Sequence, residues 1–250
     1  IQNGTLTFFA AVPALFARLL AHADQTDLQL MPNRLRYAYT GTAPLDLSLR
    51  QNVERVLGVV LHNGYGLTET SPTISRTLYA VGSNEVNIGT PIPGVEIKIV
   101  GSDGCEIMDG SPGELHVRGP NVMLGYFRQP ELTEAVIDKD GYLNTGDIVS
   151  VNSKQEMVVQ GRTKELIIRS GFNVYPPEIE AALNTHPAAL NSAVVGRSIE
   201  GNEEIVAFVE PVPGCHIEID TLFALLDEQL ARYKKPQKII VMSQLPVAPN

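Results

Sequence analysis

The stretch LHNGYGLTET, residues 61–70, decides how this chain is read. Upstream of it, helical and strand-like spacing alternate. VPALFARLLAHA (12–23) predicts a helix, with Pro13 in its first turn and Val12, Leu15, Phe16 and Leu19 on one face. LRYAYT (35–40) predicts a strand. LSLRQNVERVLG (47–58) predicts a second helix, capped by Asp46 and stopped by Gly58. VVLH (59–62) predicts another strand, expected to end where NGYGLTET turns. This alternation over residues 1–80 predicts α/β layers on a parallel sheet. The turn itself carries chemistry. Its glycines let backbone approach an anion, and Tyr65 offers a flat face to a base. Thr68 offers a hydroxyl to a phosphate, and Glu69 a hard oxygen to Mg²⁺. A plain strand-to-loop turn with its tyrosine in the core fits the same ten letters.

The texture then changes. VEIKIV (95–100), GELHVRG (113–119), YLNTGDIVSVN (142–152) and EMVVQGR (156–162) alternate with period two, separated by turns such as GSDG and NSKQ. Residues 81–162 are therefore expected to be mostly antiparallel sheet, as in a small barrel. From Thr163 the alternation resumes. ELIIR, NSAVVGRSI, EEIVAFVEPV and KIIVM read as strands, while PPEIEAALNTH and IDTLFALLDEQLARY read as helices. Two domains are expected: the C-terminal part of a large one over 1–162 and a small α+β one over 163–250. The boundary, at QGRTK, is too poor in proline and serine for a loose tether.

Composition narrows the partners. The net charge of -9 and the lack of a basic patch argue against nucleic acid. No apolar run is long enough to span a membrane. The two cysteines, Cys105 and Cys215, show no metal or disulfide spacing, so a reducing, cytoplasmic setting is expected. The five histidines form no triad or ligand pattern, and His62 reads as a strand-end residue.

Six motifs occur in order: TGTAPL (40–45), NGYGLTET (63–70), GELHVRGPNVMLGY (113–126), YLNTGDI (142–148), GRTKELIIRSGFNVYPPEIE (161–180) and ARYKKP (231–236). Together they resemble the acyl-adenylate-forming (AMP-binding) superfamily across essentially the whole chain. SGFNVYPPEIE resembles its fatty-acyl and aryl-CoA ligase branch. The resemblance implies ATP/AMP, Mg²⁺ and coenzyme A as cofactors and a small carboxylic acid as substrate, a medium- or long-chain fatty acid foremost. It implies that Asn63 and Gly64 line the adenine, with Tyr65 on its face and Gly66 in the same turn. Gly41, Thr42 and Ala43 would meet the adenine and the acyl carboxylate. Thr68 would hold the AMP phosphate, Glu69 the magnesium and Asp147 the ribose hydroxyls. Arg162 would also contact the ribose, Lys164 would mark the domain hinge, and Gly171 would line the pantetheine path. Part of the acyl pocket is expected along Phe9, Val12 and the TGTAPL loop.

The implied reaction has two halves. The substrate carboxylate, ionised at neutral pH, attacks the α-phosphate of ATP and releases pyrophosphate. A thiol then displaces AMP, after the small domain has rotated about its hinge. The family's Gly/Ser/Thr-rich phosphate loop and a lysine after the segment matching LPVAPN have no counterpart here. The expectation is thus a piece of a larger synthetase, with little adenylation activity by itself. Alternatives are an acyl-AMP ligase that loads a carrier protein, an aryl-CoA ligase, and a non-catalytic nucleotide-binding protein.

Overall fold

The computed structural model describes residues 5–31 and 34–246. The end of LPVAPN, residues 247–250, lies outside the described residues. The chain forms two compact units, residues 1–145 with 149–159, and residues 146–148 with 160–250. The expected α/β organisation is what the structure has.

The first unit opens with β1 (Phe8–Ala10), α1 (Pro13–Gln25), β2 (Tyr37–Gly41), α2 (Leu47–Leu57) and β3 (Leu61–Gly66). β1, β2 and β3 pair in parallel, with Gly41 opposite Gly64. The signals for α2 act as read: the Asp46 carboxylate accepts the Leu49 amide at 2.7 Å, and Gly58 ends the helix at φ +69°. One helix face differs from expectation. In α1 Phe16 is buried and Leu19 packs beside it, while Leu15 and the capping residue Val12 are exposed. The core between sheet and helices joins Phe16, Ala38, Leu45, Val53, Leu57 and Leu61.

The strand read at VVLH starts two residues later and runs through NGYG, so that motif is strand and the turn begins at Leu67. Glycines are depleted in strands, which is why the sequence pointed the other way. Antiparallel pairing also starts earlier than expected. β4 (Thr73–Arg76) pairs antiparallel with β3, and β5 (Thr90–Pro91) with β4. A four-stranded sheet follows in the order β6 (Glu96–Val100), β7 (Gly113–Arg118), β8 (Leu143–Val151) and β9 (Met157–Arg162). β6 and β7 pair antiparallel. The short helix α3 (Pro130–Glu134) precedes β8. Ile74, Ile88, Ile99, Leu115, Val117, Val149 and Met157 form a second core.

The second unit contains the hairpin β10 (Ile167–Arg169) and β11 (Phe172–Val174), then α4 (Pro176–Leu183), β12 (Ala189–Ile199), β13 (Asn202–Pro211), α5 (Ile219–Gln229) and β14 (Lys238–Val241). β12 and β13 are antiparallel; β13 and β14 are parallel across α5. Ile205, Ala207 and Val209 of β13, at period two, meet Ile179 and Leu183 of α4 and Leu222 and Leu226 of α5. No helix among the described residues is long and apolar enough to cross a membrane.

Candidate functional site

In an open sheet with parallel strands, ligands settle beyond the carboxyl ends of the strands. The TGTAPL and NGYGLTET motifs both leave the sheet there, from β2 and β3, with Gly41 and Gly64 in register. Thr42 follows Gly41 with φ +69°, a left-handed conformation that a β-branched residue avoids. Such strain is retained only where surrounding structure enforces it, and it clusters at functional sites. Ala43 comes next in the same loop, ahead of α2.

The glycines of NGYG have packing duties. A Cβ at Gly64 would lie 1.5 Å from the Tyr39 hydroxyl, and one at Gly66 would lie 1.7 Å from the Pro72 carbonyl. The space those glycines leave is filled by this chain itself. After Gly66 the chain turns through Thr68–Thr70. Buried Thr70 pins this turn: its hydroxyl accepts from the Leu67 amide at 3.0 Å and lies 2.9 Å from the Pro72 carbonyl. The Thr68 side chain is exposed at the turn, and Tyr65 is half-buried beside the second core.

Asn63 is buried and almost wholly committed. Its backbone N–H donates to Thr77 Oγ1 at 2.7 Å, and its carbonyl accepts the Thr77 amide at 2.8 Å. Its Nδ2 donates to the Asn87 carbonyl at 3.1 Å. The buried Oδ1 has no partner among the described residues, and neither has the buried Oγ1 of Thr40, its register partner on β2. Buried polar atoms normally find a partner, so two orphans side by side fit the polar edge of a ligand. On the opposite face of the sheet Tyr37 stacks on His62, with centroids 4.8 Å apart. The His62 Nδ1 accepts the Tyr79 amide at 3.3 Å. Burial, and then Arg50, hold the His62 pKa below its ordinary value, so the ring is neutral.

Glu69 has a partner that sequence reading missed. The Tyr126 hydroxyl donates to Glu69 Oε1 at 2.8 Å, and the Met123 amide donates to the Glu69 carbonyl at 2.8 Å. Asn121 Nδ2 holds the Thr73 carbonyl at 2.8 Å, so two bonds lay the 121–126 loop on the turn and a third ties it to the start of β4. The hydrogen bond to Glu69 raises the Tyr126 pKa, keeping the phenol a donor. Tyr126 stands inside a motif that sequence alone picked out, but its target is 57 residues away and only the fold joins them. Among the described residues no three His, Cys, Asp or Glu side chains gather as a metal cage. A lone carboxylate suits a cation held mainly by phosphate oxygens, so Glu69 fits Mg²⁺ on a nucleotide.

In the second unit, Asp147 is buried on β8 and lies 3.3 Å from Arg162 Nε at the end of β9. These two residues, 15 apart in sequence, are thus brought together. Lys164 is exposed in the short turn Thr163–Glu165. Gly171 has a conformational duty: with Ser170 at φ +51° and Gly171 at φ +83° it forms the two-residue turn of the β10–β11 hairpin. Phe9 is given to the helix-side core, its ring edge-on to Phe16 at 5.0 Å, and so does not face the tyrosine side of the sheet.

Residues 1–127 match the family model of AMP-binding enzyme, and residues 178–250 match that of AMP-binding enzyme C-terminal domain. The chain is 35% identical over 240 residues to a long-chain-fatty-acid–CoA ligase of Yersinia pestis, covering 96% of this chain and 42% of that protein. It is 35% identical over 257 residues to 4-coumarate–CoA ligase 5 of Oryza sativa subsp. japonica, covering 100% of this chain and 47% of that protein. The solved structure of ATP-bound MatB from Rhodopseudomonas palustris superposes with a TM-score of 0.87 at 32% identity, covering 98% of this chain and 48% of that one. The chain spans about half the length of the curated relatives it matches. Since the first model alone matches 127 of the 250 residues and both domain models follow in order, the chain belongs to the AMP-binding enzyme family.

Proposed function

We propose that the protein containing this chain is an AMP-forming acid–thiol ligase, which activates a carboxylic acid with ATP and passes the acyl group to coenzyme A. The observation that carries this reading is the meeting of two motif turns at the carboxyl ends of β2 and β3, beside the orphaned oxygens of Asn63 and Thr40. In this reading Asn63 Oδ1 accepts the exocyclic amino group of adenine, and Tyr65, Gly64 and Gly66 flank the base. Gly41, Thr42 and Ala43 bring backbone to the base and the acyl carboxylate. The Thr68 hydroxyl meets a phosphate oxygen, and Glu69, oriented by Tyr126, meets the magnesium. Bound Mg²⁺ would offset phosphate charge as the substrate carboxylate attacks. Positioning and electrostatics then account for the rate, and no general base is needed because the attacking carboxylate is already ionised.

The same reading gives Asp147 the ribose diol, a common role for a carboxylate at a nucleotide site, with Arg162 beside it. Lys164 is the proposed hinge, and Gly171 the proposed contact for pantetheine. A long-chain fatty acid is the leading substrate, supported by the Yersinia relative. The rice relative, at the same identity, supports an aryl acid as the second reading. Incubating the complete protein with ATP, Mg²⁺, coenzyme A and a panel of fatty and aryl acids tests both. Acyl-CoA and AMP in equal amounts are expected from one acid class. An adenylate that accumulates without thioester would favour transfer to a carrier protein.

A further inference from the structure

Asn63 matters only if its amide points the right way, because an amide shows a donor on one side and an acceptor on the other. Its orientation is fixed from a loop 24 residues downstream. The Asn87 carbonyl can only accept, so the NH₂ of Asn63 must face it, at 3.1 Å, and the oxygen must face away. That carbonyl is itself gripped. The Tyr79 hydroxyl donates to the Asn87 carbonyl at 2.9 Å and accepts the Asn87 amide at 3.0 Å. Both lone pairs of the carbonyl are then in use, one for Tyr79 and one for Asn63. The Asn87 side chain closes the loop by accepting the Gly89 amide at 2.9 Å.

Tyr79 is in turn held by two neighbours. The Arg50 guanidinium lies 3.7 Å from its ring centroid, and Arg50 Nη1 also donates to the Glu85 carbonyl of the same loop. The His62 ring lies nearly parallel to the Tyr79 ring, centroids 6.3 Å apart, and accepts the Tyr79 amide. Tyr79, Asn63, Asn87 and Arg50 are all buried, so water does not compete for these bonds.

We infer that Tyr79 is a positioning residue which, by holding the Asn87 carbonyl against the Asn63 amide, makes the site accept a 6-amino purine and refuse a 6-oxo purine. A 6-oxo base would set its carbonyl against the Asn63 oxygen. The amide could relieve that clash only by turning its oxygen onto the Asn87 carbonyl. Tyr79 touches no nucleotide and acts through two other residues. The inference rests on the nucleotide reading proposed above.

The experiment compares equilibrium binding of ATP and inosine triphosphate, identical except in the purine's six-position substituent and ring proton, to the complete protein. Wild type is expected to prefer ATP by at least about tenfold, the scale of a made against an opposed buried hydrogen bond. Tyr79→Phe keeps the ring in its clamp and removes the grip. We expect the preference to fall to about threefold or less, mostly through tighter binding of the inosine nucleotide as the amide becomes able to flip. Asn87→Ala, which loosens the same loop from Gly89, should shift the ratio the same way by a smaller factor and covers the case in which Tyr79→Phe does not fold. A merely structural role would lower the melting temperature and leave the ratio alone. An unchanged ratio in the folded variants overturns the inference while leaving the nucleotide reading standing. A wild type that binds both nucleotides equally overturns the inference alone, and one that binds neither overturns the two together.

Discussion

Thr42 holds a left-handed backbone that costs an L residue about 1–2 kcal/mol. Asparagine tolerates that conformation, so Thr42→Asn should stabilise the chain by about 1 kcal/mol in a denaturant titration. A loss of stability would show that the threonine side chain is held by contacts that outweigh the strain. Arg50 makes the opposite case. It is fully buried on α2, 2.9 Å from Glu54, with its guanidinium over Tyr79. Arg50→Met takes the cation from Glu54, which keeps only the Leu61 amide at 3.1 Å, and should cost about 3 kcal/mol or more in a denaturant titration. At the site, Tyr126→Phe removes the phenol that orients Glu69. It should raise the Mg²⁺ concentration needed for nucleotide-induced thermal stabilisation, and leave stability without ligand within about 1 kcal/mol. At this scale the sequence was legible where a residue acts on its neighbours, as with Asp46 and Gly58. It was silent where the partner is remote: nothing near Tyr126 points to Glu69, and nothing near Asn87 points to Asn63.

Elements with a clean period were readable, and those defined by tertiary pairing were not. β6, β7, β8, β9, β12 and β13 follow the alternation of their side chains, and α2 and α4 follow their caps and prolines. β3 was misplaced because its glycines look like a turn; they are tolerated because Tyr39 and Pro72 occupy the space beside them. Gly66→Ala should therefore destabilise β3 and the turn after it even without ligand, seen as a lower melting temperature. A variant as stable as wild type would return that glycine to a purely ligand-facing role. β3 and β7 also carry a pH signature. Burial is the first cause lowering the pKa of both His62 and His116 from 6.5. The unfolded chain then binds protons that the folded chain resists, so stability should fall as pH drops below 6.5 toward the depressed folded values. Glu180, raised from 4.5 by burial, has the opposite sign, adding stability as pH falls from its raised folded value toward 4.5. Denaturation between about pH 7 and pH 5.5 should show the slope, and His62→Gln with His116→Gln should flatten it.

For the whole molecule, the α/β organisation was legible because six motifs fall in a fixed order. What sequence could not supply is which atoms remain uncommitted once the chain has folded. The Asn63 and Thr40 oxygens emerge only when every neighbouring donor and acceptor has been assigned. The acyl substrate is still less legible: of Phe9, Val12 and the TGTAPL loop, expected along its pocket, Phe9 packs against the helix-side core. The central claim is that Glu69 and its turn serve ATP-dependent activation of a carboxylate. It is tested most directly by acid-dependent ATP–pyrophosphate exchange in the complete protein, wild type against Glu69→Ala. We expect exchange only when a carboxylic acid is present, falling by about a hundredfold or more in the variant. Exchange that is absent from wild type, independent of acid, or untouched by loss of Glu69 would contradict it.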